Sequence, residues 1–277
     1  MTFLLMLKAV IIGIVEGITE FLPVSSTGHM IIVEHIINFQ YPYYPKEYVD
    51  MFTIVIQLGA IIAIIVLYWN KIISSFKNLK PGKWGFRLWL NIIIAFIPSG
   101  VVGLLSDDFR EKYLMGPATV AAALIAGGFL MILIENKYRR KAKVRSVDEV
   151  NIKQSAFIGC FQCLSLWPGM SRSASTIMGA WISGLNGVAA AEFSFFLAIP
   201  TMIAASGYKL YKTNFANITT PQIIALAVGF IVAFLVALIV VEKFIEFLKK
   251  KPMRVFAIYR IFIGIVLCFL VIGKIIK

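Results

Sequence analysis

Six stretches of this chain, at about 49–69, 88–105, 118–136, 191–208, 222–242 and 255–273, are apolar throughout and hold at most one charged side chain each. Roughly 20 apolar residues are what an α-helix needs to cross the hydrocarbon core of a bilayer. The pattern predicts an all-α fold, a polytopic integral membrane bundle with six spanning helices. Hydrophobic residues make up 60% of the 277, so the expectation is a single membrane domain over 1–277 with no separate soluble domain.

A net charge of +13 would suit a nucleic-acid binder if it were gathered on one surface. Here the excess sits in short loops, as positive-inside topology requires, and no nucleic-acid partner is expected. The 70–87 loop carries Lys71, Lys77, Lys80, Lys83 and Arg87 without an acid. The 137–153 and 243–254 loops are also strongly basic, whereas 38–48, 106–117 and 209–221 are nearly balanced or weakly charged. The first three loops read as cytoplasmic and the others as external.

Alternation then fails between 137–153 and 209–221. Residues 154–190 begin and end inside, which predicts a re-entrant helical hairpin. By the same logic the chain leaves 1–37 outside; read as a second hairpin, that segment puts both termini outside. Each half is one hairpin plus three spans, giving an inverted repeat of 1–137 and 154–277. Short matches support it: Gly13-Ile14-Val15-Glu16 with Gly159-Cys160-Phe161-Gln162, and Ser25-Ser26-Thr27 with Ser171-Arg172-Ser173. Broken helices meeting at the midplane are a known membrane architecture, and non-helical backbone at that depth needs protein or a wet cavity around it. Two ordinary kinked spans per half are the plainer alternative.

Of three cysteines, Cys160 and Cys163 spell C-x-x-C in an apolar helix without a second pair. That reads as packing rather than zinc or redox chemistry. The N-terminal stretch carries Glu16 and Glu20 and shows no small-residue cleavage site, so it reads as retained structure rather than a signal peptide.

The chemistry concentrates in the two breaks. From Gln154 to Ala191 the single charged side chain is Arg172, within Pro168-Gly169-Met170-Ser171-Arg172-Ser173. A charge at membrane depth is costly, marks a functional site and calls for a partner. The first break, Pro23-Val24-Ser25-Ser26-Thr27-Gly28, is flanked by Glu16, Glu20 and His29. Glu16 and Glu20 share one helix face a turn apart. Such a pair can hold a proton, a divalent cation, or both in turn; Arg or Lys neutralising it for structure is the alternative. Hydroxyls after Pro23 can cap the next helix, whose free N–H groups attract an anion. Ser26 or Thr27 can attack phosphorus if a base is near, and His29 can be that base or the nucleophile, or simply a packed histidine. The planar fork of Arg172 suits two phosphate oxygens, and Ser171, Ser173, Ser175 and Thr176 can add donors. Gln57 reads as a buried amide behind the site, Glu192 as a helix-start acid, and Arg260 as a snorkelling cation near the end of the last span.

The run Glu16-Gly17-Ile18-Thr19-Glu20-Phe21-Leu22-Pro23-Val24-Ser25-Ser26-Thr27-Gly28-His29 and the run Pro168-Gly169-Met170-Ser171-Arg172-Ser173-Ala174-Ser175-Thr176 closely resemble the two signature motifs of the undecaprenyl-diphosphatase family, the bacitracin resistance proteins. Glu192-Phe193-Ser194-Phe195 and Phe256-Ala257-Ile258-Tyr259-Arg260 also resemble that family. The resemblance implies a bacterial inner-membrane enzyme that removes one phosphate from undecaprenyl diphosphate, recycling the lipid carrier for peptidoglycan and other wall polymers. It implies a site opening to the outer face. It carries the glutamate pair onto Glu16 and Glu20, the histidine onto His29, the phosphate-binding arginine onto Arg172 and a serine nucleophile onto Ser26, with Thr27 and Ser171 beside it. Ser25, Thr27, Ser171, Ser173 and Thr176 are the hydroxyls expected to bind substrate. Ala174 stands where the family commonly has Gly. A divalent cation, Mg or Ca, is implied as cofactor, with Glu16 and Glu20 as its carboxylates. The expected partners are the lipid diphosphate and the membrane, and a homodimer is compatible with both. A polyprenyl-phosphate flippase with the same head-group site is the main rival, a proton-coupled carrier the second.

Overall fold

A computed structural model describes residues 2–40, 43–212 and 218–276. Met1 and Lys277, where the termini were assigned to the outer side, lie outside the described residues, as do 41–42 and 213–217 of two of the expected external loops. The described chain is all-helical, with twelve α-helices and three short 3-10 turns.

Among the described residues, seven helices are long and apolar enough to cross a membrane. Six answer the expected spans: α3 (Lys46–Leu67), α5 (Trp84–Leu105), α7 (Pro117–Tyr138), α10 (Gly187–Lys212), α11 (Thr220–Lys250) and α12 (Arg254–Ile272). The seventh is α1 (Thr2–Thr19), which the sequence placed in a hairpin and whose length by itself would carry it across. Its one cation, Lys8, is buried by donating to Asn38 O at 3.0 Å and lying 5.0 Å over the Tyr44 ring. The remaining helices are α2 (Ser26–Ile36), α4 (Trp69–Lys77), α6 (Asp107–Tyr113), α8 (Ile152–Gln162) and α9 (Arg172–Ile182).

Small residues set the packing. α1 lies along α11, and a Cβ added at Gly13 or Gly17 would come within 2.7 Å of the Gly229 or Ala233 carbonyl. Close backbone approach through small residues is how helices gain contact in lipid, where no hydrophobic force draws them together. α3 packs on the same helix, α5 on α8, and α7 on α12. The centre holds Phe21, Ile177, Trp181, Phe193, Phe195 and Phe196, all buried. Large apolar side chains such as Leu105, Leu133, Ile239, Phe262 and Phe269 face outward, as a lipid-facing surface requires.

Both breaks are ended and restarted by local chemistry. α1 stops before Pro23, and α2 begins after Ser25, whose φ is 72°. α8 opens on an Asn151–Gln154 capping box and tightens into a 3-10 turn at Cys163–Leu166 before Pro168. α9 then begins after Ser171, at φ 67°, whose side chain accepts from Ala174 N. Non-glycine residues at positive φ are strained and persist only where surrounding contacts hold them. Gly169, at φ +100°, has its Cβ direction filled by the Val120 carbonyl at 2.5 Å, so a side chain there would fail on both conformation and space.

Candidate active site

The two breaks meet. Arg172 Nη2 lies 3.2 Å from Glu20 Oε1, across 152 positions of sequence. The other arm of the guanidinium, Nη1, donates to Ser194 O at 3.1 Å, and the cation lies 5.7 Å over the Phe21 ring. Glu20 uses its second oxygen as well: Ser26 Oγ donates to Oε2 at 2.8 Å. A hydroxyl, a carboxylate and a guanidinium thus form one continuous chain. Ser173 stitches the breaks at a second point, its Oγ donating to Phe21 O at 2.7 Å.

Beside this chain is a cavity of about 220 Å³ whose walls include Glu20, Ser25, Ser26, Thr27, Gln57, Ser165, Ser171, Arg172 and Thr201. It is smaller than the roughly 300–1,000 Å³ of sites that swallow a drug-sized ligand, so it suits a polar head group rather than a whole lipid. Its walls come from both breaks and from α3 and α10.

The residues expected from sequence divide into four groups. Glu20, Ser25, Ser26, Thr27, Ser171 and Arg172 line the cavity, together with Gln57. Glu16 is fully buried, and neither carboxylate oxygen finds a hydrogen-bond partner among the described residues. A buried carboxylate without donors is expensive, so this position calls for a proton or a cation. Ser173 and Thr176 are fully buried away from the cavity. The Thr176 hydroxyl lies against Arg172 O, Ser173 O and Ser194 Oγ, which secures the α9–α10 packing.

His29 is committed on both nitrogens. Nδ1 lies 2.8 Å from Ser25 O, and Nε2 lies 2.9 Å from the Tyr259 hydroxyl. A carbonyl can only accept, so Nδ1 carries the proton there. Neither nitrogen faces Ser26 with a free lone pair.

Three lesser expectations change. Gln57 is half-buried and forms part of the cavity wall rather than standing behind it. Arg260 does not snorkel; it is fully buried, with Nη2 donating to Gly169 O at 2.8 Å and Met170 O at 2.9 Å. Glu192 lies a turn inside α10 and pairs with Lys71 at 3.7 Å. Sequence reasoning missed Ser165 and Thr201 as wall residues and Tyr259 as the partner of His29. Thr201 had a signal: it follows Pro200 inside a long apolar helix, where a hydroxyl stands next to a broken hydrogen-bond ladder.

Comparison with known proteins places these residues in context. A family model described as "Bacitracin resistance protein BacA" matches residues 9–266. The "Undecaprenyl-diphosphatase" of Clostridium tetani (strain Massachusetts / E88) is 57% identical over 274 residues, covering 99% of this chain and 99% of the relative. That of Clostridium novyi (strain NT) is 58% identical over 278 residues, covering 98% and 97%. That of Thermoanaerobacter sp. (strain X514) is 53% identical over 273 residues, covering 99% of each.

Proposed function

The chain belongs to the bacitracin resistance protein BacA family of undecaprenyl-diphosphatases, and on that premise we propose that it cleaves the terminal phosphate of undecaprenyl diphosphate in the cavity between its two helix breaks. The observation that carries the mechanism is the Ser26–Glu20–Arg172 chain. Ser26 already directs its proton at a carboxylate, which is what an attacking hydroxyl needs and what favours it over direct attack by water. Its oxygen forms a bond to the terminal phosphorus as the bond to the bridging oxygen breaks, and the proton passes to Glu20. The leaving group is undecaprenyl phosphate. Water then attacks the phosphorus and breaks the seryl–phosphate bond, Glu20 returns its proton to the Ser26 oxygen, and phosphate leaves carrying the oxygen of the water.

Arg172 gives charge neutralisation. With Glu20 as its resting partner, the guanidinium is held in place before substrate arrives, and the phosphate oxygens then take over that contact. Phosphoryl transfer asks mostly for positioning and charge stabilisation, and the helix starts at Ser26 and Arg172 add N–H groups to the same end. His29 serves as a support of the first break rather than as the base. A divalent cation fits the unpaired Glu16 oxygens. No cluster of three His, Cys, Asp or Glu residues exists among the described residues, so phosphate oxygens and water would complete its shell. Held by Glu16 and Glu20, it would supply further neutralisation of the phosphoryl oxygens.

Helix pairing supports the inverted-repeat reading. Exchanging α1 with α8 and α5 with α11 turns the α1–α11 pair into the α8–α5 pair, and both pairs are packed. The same exchange carries α3–α11 onto α10–α5 and leaves α7–α12 paired with itself. Ser25 and Ser171 are then equivalent, and both have positive φ. In this arrangement α1 is the long arm of a hairpin that turns at Glu20 and returns as α2. The outward opening is supported by Thr201, Met202 and Ala205, which line the cavity from the half of α10 nearer Lys212, the end that the loop charges put outside.

Phosphate release by the purified protein in detergent, with undecaprenyl diphosphate as substrate, tests the reading. Release at a rate proportional to enzyme is expected. A flippase sharing the head-group site would bind the lipid and release none.

A further inference from the structure

α12 touches both breaks through two successive residues. Tyr259 reaches the first break by way of His29, whose Nδ1 holds Ser25 O at 2.8 Å while Nε2 lies 2.9 Å from the tyrosine hydroxyl. The two rings are stacked, with centroids 5.5 Å apart and planes 18° from parallel. Arg260 reaches the second break directly, Nη2 holding Gly169 O and Met170 O at 2.8 and 2.9 Å. Neighbouring helix positions point roughly 100° apart, which is what lets one helix address two breaks.

Each contact seizes a carbonyl whose peptide plane continues into the cavity wall. In a trans peptide the C=O and the following N–H point in opposite directions. Holding Ser25 O therefore turns the Ser26 N–H away from His29, and holding Met170 O turns the Ser171 N–H away from Arg260. Ser26 and Ser171 both line the cavity, and neither N–H bonds to backbone among the described residues. Both breaks also carry a serine at positive φ, Ser25 and Ser171, a conformation that surrounding contacts must enforce.

Arg260 is an unusual choice for a merely structural contact. It is fully buried and forms no salt bridge among the described residues, and its Nε and Nη1 have no hydrogen-bond partner there. Burying a cation in this way is costly, so a neutral donor would serve a passive role better. α7 makes the room: a Cβ at Gly127 would fall 2.6 Å from Arg260 Nη2 and 3.0 Å from its Cζ.

We propose that Tyr259 and Arg260 are a paired positioning device: each fixes one peptide plane in one break, so that the Ser26 and Ser171 N–H groups face the phosphates of the substrate. The proposal rests on the phosphatase reading of the cavity. Neither residue touches substrate. Both act on the donors that meet charge developing in the transition state, so their loss lowers kcat and leaves KM nearly unchanged.

The test uses the full-length protein in detergent with undecaprenyl diphosphate, measuring kcat and KM for wild type, Arg260→Met, Arg260→Lys, Gly127→Ala and Tyr259→Phe. Gly127→Ala keeps the arginine but displaces it from the two carbonyls, so it decides the matter if Arg260→Met fails to fold. Arg260→Met and Gly127→Ala should each lose at least tenfold in kcat, with KM within about twofold of wild type. Arg260→Lys should recover part of the loss through its remaining cation, and Tyr259→Phe should lose about threefold or more in kcat alone. Wild-type kcat in Gly127→Ala and Tyr259→Phe, or a loss expressed wholly in KM, would overturn the proposal while leaving the phosphatase reading intact. No phosphate release by wild type would instead remove the reading on which it rests.

Discussion

Replacing Arg172 by lysine separates a point charge from a two-armed clamp. The guanidinium divides its contacts: Nη1 to Ser194 O at 3.1 Å, Nη2 to Glu20 Oε1 at 3.2 Å, and its face over Phe21 at 5.7 Å. An ammonium keeps the charge but cannot reach two such acceptors in fork geometry or stack flat on the ring. Losing one hydrogen bond from a charged group costs about 1.5–3 kcal/mol, and the same lost arm is the one that would take a second phosphate oxygen. With 1.4 kcal/mol per factor of ten, kcat/KM of Arg172→Lys should fall about 10- to 150-fold. The assay is phosphate release from undecaprenyl diphosphate, with thermal unfolding in the same detergent as a control for folding. The buried ion pair itself adds little net stability, since desolvation offsets its attraction, and Lys preserves that pairing. The melting temperature should therefore change far less than the activity. A lysine variant with wild-type kcat/KM would show that the fork is not used on substrate, and the clamp role of Arg172 would fall.

Ser173→Ala should destabilise the protein by about 1–3 kcal/mol, because it leaves Phe21 O buried without its donor; an unchanged unfolding temperature would show that the stitch between the breaks is unimportant. Orientation can be read by thiol labelling in a background lacking Cys160, Cys163 and Cys268. Lys112→Cys, exposed on α6, should react with an impermeant reagent in intact cells, whereas Lys141→Cys, exposed between α7 and α8, should not. The reverse pattern would invert the topology and turn the cavity toward the cytoplasm.

Much of this architecture was legible in the sequence because lipid punishes exceptions. Six of the seven long helices follow from apolar runs alone, and both breaks announce themselves by proline, hydroxyls and buried charge. The meeting of Arg172 with Glu20 follows from the need of a charge at depth for a partner. What the sequence hides is direction. Ser173 and Thr176 look as available to a phosphate as Ser171, yet the turn of α9 aims them at Phe21 and Ser194 instead. His29 looks like a free base beside Ser26, and only the approach of Tyr259, 230 positions later, occupies its second nitrogen. Arg260 lies near a helix end, where cations usually snorkel. It turns inward because Gly127 leaves space and the break offers two carbonyls, facts that belong to three separate segments.

The central claim is that the hydroxyl bonded to Glu20 is the group that attacks phosphorus, and its direct test is the turnover of Ser26→Ala. The change removes one oxygen from the cavity wall and leaves the Glu20–Arg172 pair in place. Measured by phosphate release from undecaprenyl diphosphate under saturating substrate, kcat should fall at least about a thousandfold, as it does when a covalent nucleophile is deleted, while the variant still binds the lipid. A Ser26→Ala protein that turns over within a few-fold of wild type would contradict the account and assign the attack to water.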